Sequence, residues 1–341
     1  MESSPQSEVE ILSTDTPELF ETAVLRAAEL LMAGEVVALP TETVYGLAAN
    51  ALDPKAVAKI FKIKGRPAHN PIIAHIADLN MAKRCVSDWP SVAEQLAKSF
   101  WPGPLTLILP RTKDIPDILT AGGRTVGIRW PSHPFMQSVI RKCGFPLAAP
   151  SANLSNRVSP TNVTHVQKQL GGKIPLIVDG GQCQVGIEST VLDVSESPPR
   201  LLRPGMIHRE TLVAVVGALG GGQHHGTSPL KSPGLLQKHY APRARLVVRS
   251  WNSDLELRTR IKDTGVPLLK AYVIAHTNIP SAEGLGGVSV IPHDAQAFAR
   301  ALYAQLHECD ETGVELILVE ALPETDEWRA VTDRLNRAAT S

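Results

Sequence analysis

The stretch Val36-Val37-Ala38-Leu39-Pro40-Thr41-Glu42-Thr43-Val44-Tyr45-Gly46 sets the fold class. Residues 36–39 read as a short buried strand, and three polar residues follow directly after Pro40. In open α/β sheets, ligands gather outside the carboxyl ends of strands. Thr41, Glu42 and Thr43 therefore offer two hydroxyls and a carboxylate to a small polar ligand. An ordinary strand-to-loop turn capped by its threonines accounts for the same pattern, and on pattern alone that reading is favoured.

Working outward, Asp53 is an N-cap with Pro54 at the first helical position, and the helix runs to about Lys64. Strands are expected at 71–76, 105–109, 125–130, 146–149, 176–178, 190–194 and 201–202. A helix over 161–170 is closed by Gly171-Gly172. Such alternation predicts an α/β domain with a mixed sheet. A composition shift follows at Gly220-Gly221-Gly222-Gln223-His224-His225-Gly226-Thr227-Ser228-Pro229, which is too poor in apolar residues to hold a core and reads as a linker. The linker continues through Ser232-Pro233-Gly234 to Ala241-Pro242. Beyond it, strands at 245–248, 271–275, 289–291 and 315–319 alternate with helices at 294–308 and 327–338. Phe298, Leu302 and Leu306 recur every four residues and mark one buried helix face. This region reads as a small Rossmann-like α/β layer. It has no Gly-x-Gly-x-x-Gly turn to support a dinucleotide.

The chain of 341 residues is long enough for two cores, and 43% apolar with 20% charged residues is the balance of a globular protein. Lys plus Arg equals Asp plus Glu, 34 of each, which argues against a nucleic-acid coat or a polybasic membrane anchor. Four cysteines stand at neither metal nor redox spacing and read as reduced thiols. No apolar run approaches the ~20 residues of a membrane span, and residues 1–20 lack the apolar centre of a secretory signal. A cytoplasmic protein is expected.

Several clusters carry chemistry. Lys62, Lys64 and Arg66 lie within five residues at a helix end broken by Gly65 and Pro67. A helix C-terminus attracts cations in any case. A rigid loop projecting Lys64 and Arg66 would also suit a phosphate clamp. Ala149-Pro150-Ser151-Ala152-Asn153 ends a strand in a hydroxyl and an amide. Ser159 precedes Pro160 and a helix, which it could equally cap. Arg129, between Ile128 and Trp130, needs a partner, either an amino-acid carboxylate or a fixed internal Asp or Glu. His75 lies similarly in an apolar strand, where a satisfied core histidine is the commoner case. A P-loop, zinc-spaced Cys or His, and a Gly-x-Ser-x-Gly elbow are all missing.

Taken in order, these stretches resemble the threonylcarbamoyl-AMP synthases of the YrdC-like type, in their long two-domain form. The matching residues are Leu39-Pro40-Thr41-Glu42-Thr43-Val44-Tyr45-Gly46-Leu47, Lys64-Gly65-Arg66-Pro67 with Asn70-Pro71, and Trp101-Pro102-Gly103-Pro104-Leu105-Thr106. They continue with Ala149-Pro150-Ser151-Ala152-Asn153, Gly186-Ile187-Glu188-Ser189-Thr190-Val191 and Arg203-Pro204-Gly205. Ser232-Pro233-Gly234 through His239-Tyr240-Ala241-Pro242 resembles the strap of the long form.

The resemblance implies a YrdC-like twisted mixed sheet with flanking helices over 1–219, a strap over 220–244, and a Rossmann-like domain over 245–341. It implies condensation of L-threonine, bicarbonate and ATP to threonylcarbamoyl-AMP and pyrophosphate, with Mg²⁺ accompanying the nucleotide. The product would pass to a transferase complex that modifies an adenosine beside the anticodon of tRNA, and a weak contact with tRNA is allowed. Carried over by position, Thr43, His75, Arg129, Ala149 and Ser189 would hold L-threonine. Arg66, Asn70, Thr125, Ser151, Ser159, Arg203 and Tyr240 would hold ATP. Lys64, Arg66, Ser151 and Asn153 would form the catalytic set, with no protein-held metal. Two departures stand out. Leu235-Leu236-Gln237 replaces the usual Met and aromatic of the strap, and Asp333-Arg334-Leu335 replaces Asn-Arg-Leu in the last helix. Two alternatives remain: an RNA-binding module without catalysis, and a carbamoyl-adenylate enzyme for another acceptor.

Overall fold

A computed structural model describes residues 9–220, 231 and 240–339. These divide into two compact units. The first holds ten strands: β1 (Glu10–Ser13), β2 (Val37–Leu39), β3 (Gly46–Asn50), β4 (Ala74–His75), β5 (Leu105–Pro110), β6 (Thr125–Arg129), β7 (Leu147–Ala148), β8 (Leu176–Asp179), β9 (Thr190–Asp193) and β10 (Arg200–Arg203). Their order is β1-β8-β2-β3-β7-β4-β6-β5-β9-β10, with parallel and antiparallel neighbours, so the sheet is mixed as expected. Seven helices accompany it: α1 (Pro17–Met32), α2 (Pro54–Lys64), α3 (Leu79–Cys85), α4 (Ser91–Phe100), α5 (Pro134–Cys143), α6 (Val163–Leu170) and α7 (Arg209–Val216).

Local chemistry explains the elements nearest the polar loops. The Asp53 carboxylate accepts from the Lys55 N–H to cap α2, and Gly65, at a left-handed φ of 60°, ends it. α1 escaped the sequence reading, although Thr16 caps it, Pro17 opens it, and Ala23, Val24, Ala27, Ala28 and Leu31 form its buried stripe. The strand expected over 71–76 shrinks to Ala74–His75, because the Ile72 N–H goes to Leu119 and the Pro71 carbonyl to Arg66. Helix α6 begins two residues later than expected. Its cap is Asn162, whose side chain accepts from the His165 N–H. Ser159 instead donates to Glu188 at 2.7 Å. Removing the cap as Asn162→Ala should therefore cost about 1 kcal/mol in urea denaturation, while Ser159→Ala leaves that helix end intact.

The second unit has four parallel strands, β11 (Arg245–Arg249), β12 (Ala271–Ala275), β13 (Gly287–Val290) and β14 (Leu316–Glu320), in the order β11-β14-β12-β13. Helices α8 (Asp254–Asp263), α9 (Ala295–Thr312) and α10 (Arg329–Ala339) complete a Rossmann-like layer. Phe298, Leu302 and Leu306 on α9 are all fully buried, as their spacing required. Tyr240 belongs to this unit: its ring lies 5.7 Å from that of Tyr303 and 5.4 Å from the buried Arg334 guanidinium. Asp333, one of the departures, pairs with Arg334 at 2.8 Å and with Arg337 at 3.0 Å. The other departure, at 235–237, lies outside the described residues.

Candidate active site

The loop after β2 is stitched to the loop after β7. Leu47 donates its N–H to Pro150, Ala152 to Tyr45, and Tyr45 to Pro160. Gly46 permits this approach, since a Cβ there would stand 3.2 Å from that of Ala149. Thr41 braces the turn, donating to the Val44 carbonyl at 2.6 Å and accepting from the Thr43 N–H at 3.2 Å. The Tyr45 hydroxyl donates to Gly181 and accepts from the Gly180 N–H, fixing the far side.

Strand pairing then delivers the charged residues. β4 runs parallel to β6 with His75 opposite Arg129, and antiparallel to β7 with His75 opposite Leu147, two residues before Ala149. The Arg129 guanidinium, almost fully buried, donates to Thr43 Oγ1 at 2.9 Å and lies 2.8 Å from Glu42 Oε1. Burial by itself would raise the Glu42 carboxyl, but the charge and bond of Arg129 outweigh it and hold the group below its ordinary range. The arginine's internal partner is thus an acid adjacent to Thr43. Yet Arg129 Nε and Nη2, both Glu42 oxygens and His75 Nδ1 meet no partner in good alignment, although the Ser132 backbone approaches Glu42 and the Ile73 and Leu147 backbones approach His75. Buried polar groups are ordinarily satisfied, so this patch has capacity left for a ligand.

His75 is kept neutral: burial, helped by the Arg129 charge, brings its imidazole down to about 3. The unfolded chain protonates this histidine below its usual 6.5 while the folded one does not, so folding weakens as pH falls from 6.5 towards 3. The loss is up to about 1.4 kcal/mol per pH unit. Urea midpoints across that range should fall more steeply for the native chain than for His75→Gln.

A second cluster adjoins the Ser151 loop. Lys64 is buried rather than projecting. Its ammonium donates to the carbonyls of Ser151 and Asn153 at 2.5 Å and to Asn153 Oδ1 at 3.3 Å, which uses its three N–H groups. Burial, reinforced by Arg66, pulls its pKa well below the usual lysine range. Arg66 donates to Asn70 Oδ1 and the Pro71 carbonyl, each at 2.7 Å, and to the Asn70 carbonyl at 3.0 Å. Asn70 Nδ2 makes no hydrogen bond.

Ser189 and Arg203 meet in a third group. Arg203 donates to Ser189 Oγ and to its carbonyl, both at 3.0 Å. Ser189 Oγ also lies 2.8 Å from Thr106 Oγ1. Gly205 lets the 203–205 turn press in, because a Cβ there would fall 2.4 Å from the Thr190 nitrogen. Ser159 joins this side through Glu188, next to Ser189. Thr125 opens β6 at the opposite end from Arg129, about 13 Å away by strand rise, and Tyr240 belongs to the second unit. The reading of single residues missed Glu42, Thr106 and Glu188 as partners, although all three lie within stretches quoted from the sequence.

Comparisons with known proteins agree in direction. A family model described as "Telomere recombination" (Sua5, YciO and YrdC proteins) matches residues 29–205. A second, described as "Threonylcarbamoyl-AMP synthase, C-terminal domain", matches residues 207–340. The chain is 41% identical to a threonylcarbamoyl-AMP synthase of Pyrococcus abyssi over 92% of its own length and 93% of the relative's. It is also 41% identical to one of Bacillus subtilis over 96% and 94%. Among solved structures, Pyrococcus abyssi Sua5 complexed with L-threonine superposes with a TM-score of 0.87 and 38% identity, covering 97% of both chains.

Proposed function

This chain belongs to the threonylcarbamoyl-AMP synthase family, in its two-domain form, and from that premise we propose that its first unit condenses L-threonine, bicarbonate and ATP to threonylcarbamoyl-AMP and pyrophosphate. It is an enzyme that works by adenylation, not a passive RNA-binding module. One observation supports the assignment most: the buried Arg129, Glu42 and His75 carry polar atoms that are poorly aligned with their protein partners, and the 151–153 loop is pinned by Lys64.

In this reading the threonine carboxylate lies against Arg129, and its hydroxyl meets the neutral His75 and Thr43. The backbone of Ala149 and the Ser189 hydroxyl complete the pocket. The threonine amine, having lost its ammonium proton, adds to bicarbonate with release of water, and the resulting carbamate oxygen attacks the α-phosphorus of ATP as pyrophosphate leaves. No covalent protein nucleophile is required. The protein supplies placement, offsetting positive charge and dryness, which protects a labile carbamate and adenylate. Arg66 and Arg203 supply the charge. Asn70, Thr125, Ser151, Ser159 and Tyr240 complete the proposed ATP set, with Asn153 beside Ser151. Lys64 acts through the 151–153 loop, because its three N–H groups hold that loop's oxygens.

Among the described residues no group of three or more His, Cys, Asp or Glu is arranged for a metal. Mg²⁺ would enter with the nucleotide as MgATP, held by phosphates and water. We assign catalysis to 1–219, a strap to 220–244, of which 221–230 and 232–239 lie outside the described residues, and a Rossmann-like domain to 245–341. The product goes to a transferase that modifies tRNA. A cytoplasmic location suits that partner, and no described helix is long and apolar enough to cross a membrane.

Mutant kinetics test the division of labour. Arg66→Ala should raise the ATP requirement with little change in that for threonine, and Arg129→Ala should do the reverse. Identical defects in both variants would refute the assignment.

A further inference from the structure

We propose that Glu42 receives the α-ammonium group of the amino-acid substrate and so makes a free amine a condition of binding; this rests on the threonine reading above. Its side chain is only 7% exposed, and its neighbour Arg129 is 5% exposed. The two charges stand 2.8 Å apart but out of line, and the Glu42 carboxylate is otherwise approached only by the backbone N–H groups of Ser132 and of Glu42 itself, while Arg129 Nε and Nη2 have no aligned partner. Thr43 is the aligned partner of Arg129, through Nη1.

A buried pair offsets its desolvation when the remaining lone pairs and protons are also bonded. Here two backbone N–H groups serve Glu42 only in part, and an amino-acid zwitterion matches what is missing. Its carboxylate can take the unused N–H groups of Arg129, and its ammonium, with three donors, can take the unused lone pairs of Glu42. A carboxylate that served only to brace the arginine would be expected to meet it in an aligned, bidentate geometry. The neighbouring groups do not compete for the ammonium: burial lowers the His133 imidazole below its ordinary range, and burial keeps the Cys183 thiol protonated. Glu42 is therefore the anionic acceptor on this patch, and it stays ionised beside Arg129.

Calorimetry on the full chain separates an ammonium site from a brace. Three ligands are used: L-threonine, its deaminated analogue 3-hydroxybutanoate, and threonine methyl ester. The native protein should prefer threonine to the deaminated analogue by about tenfold or more, as expected when a buried charged group is left unpaired. Glu42→Gln should weaken threonine by about tenfold and leave the deaminated analogue within about threefold. The ester, which lacks the carboxylate, should bind poorly to both proteins.

Equal weakening of threonine and the deaminated analogue in Glu42→Gln would overturn the proposal, since Glu42 would then act only through Arg129. A native protein with no preference between those two ligands would overturn it without any variant. Binding of a non-hydrolysable ATP analogue reports the fold of Glu42→Gln. If that is lost, Glu42→Asp is read instead and must keep the preference for threonine. A native protein that binds neither ligand would instead remove the threonine reading on which the proposal rests.

Discussion

Arg129→Ala is expected to lower kcat/KM for threonine by about 10²- to 10³-fold, because the substrate carboxylate loses a buried charged partner, a loss of about 2–5 kcal/mol in binding. KM for ATP should stay within about threefold, since Arg129 lies with Glu42 and Thr43 while Arg66 is bound to Asn70 and Pro71. Two things are lost together in this variant. The substrate carboxylate loses its planar partner, and Glu42 is left buried without a counter-charge. The second loss lowers stability as well, so the urea midpoint should fall. Arg129→Lys keeps the charge but not the fork, and a flexible point charge cannot serve Thr43, Glu42 and a carboxylate at once. It should restore stability more than activity. Steady-state kinetics with threonine and ATP varied separately, together with denaturation, check each part.

The second large effect is expected at Lys64. Lys64→Met preserves the aliphatic stem and removes only the ammonium. The carbonyls of Ser151 and Asn153 and the Asn153 amide oxygen would each lose this donor, although the Asn153 N–H still bonds the Ser151 carbonyl, and weakening buried hydrogen bonds in this way costs about 1–3 kcal/mol. The loop relaxes to recover part of this, so a stability loss of about 3 kcal/mol is expected. Relaxation displaces Ser151, and misplacement of a positioned group by about 1 Å is enough to cost about 10²-fold in rate. Single-turnover adenylate formation should therefore fall by about that factor, with threonine affinity changed far less. Lys64→Arg should not rescue it, because a planar fork does not reach three acceptors converging on one point.

How much of this was legible depends on the range of the interaction. Helix α2 was fully readable because its stop and start signals are local: Asp53 and Pro54 at one end, Gly65 at the other. The need of Arg129 for a partner was also readable, since a cation in an apolar strand states its own problem. The answer, Glu42, was not, because it comes from a loop far earlier in the chain that only the sheet order brings alongside. Ser159 shows the opposite failure. A serine before a proline and a helix satisfies a local rule, but Asn162 sits closer to the first free N–H and takes the cap, which leaves Ser159 for Glu188. Strands β4 and β7 have two residues each, too short for any periodicity, and their pairing is set by neighbours distant in sequence. Lys64 looked like a surface cation at a helix end. Three oxygens from residues 151 and 153 turn it inward, and none of them is visible from the helix itself.

In the proposed reaction one site activates threonine with bicarbonate and ATP. Pyrophosphate release tests it most directly, followed with the full-length protein and MgATP while threonine and bicarbonate are each supplied or withheld. The account predicts release only when all three substrates are present, with other amino acids poor substitutes and threonine methyl ester inactive. Release that is independent of threonine, or no release in the complete mixture from a protein that binds both ATP and threonine, would contradict it.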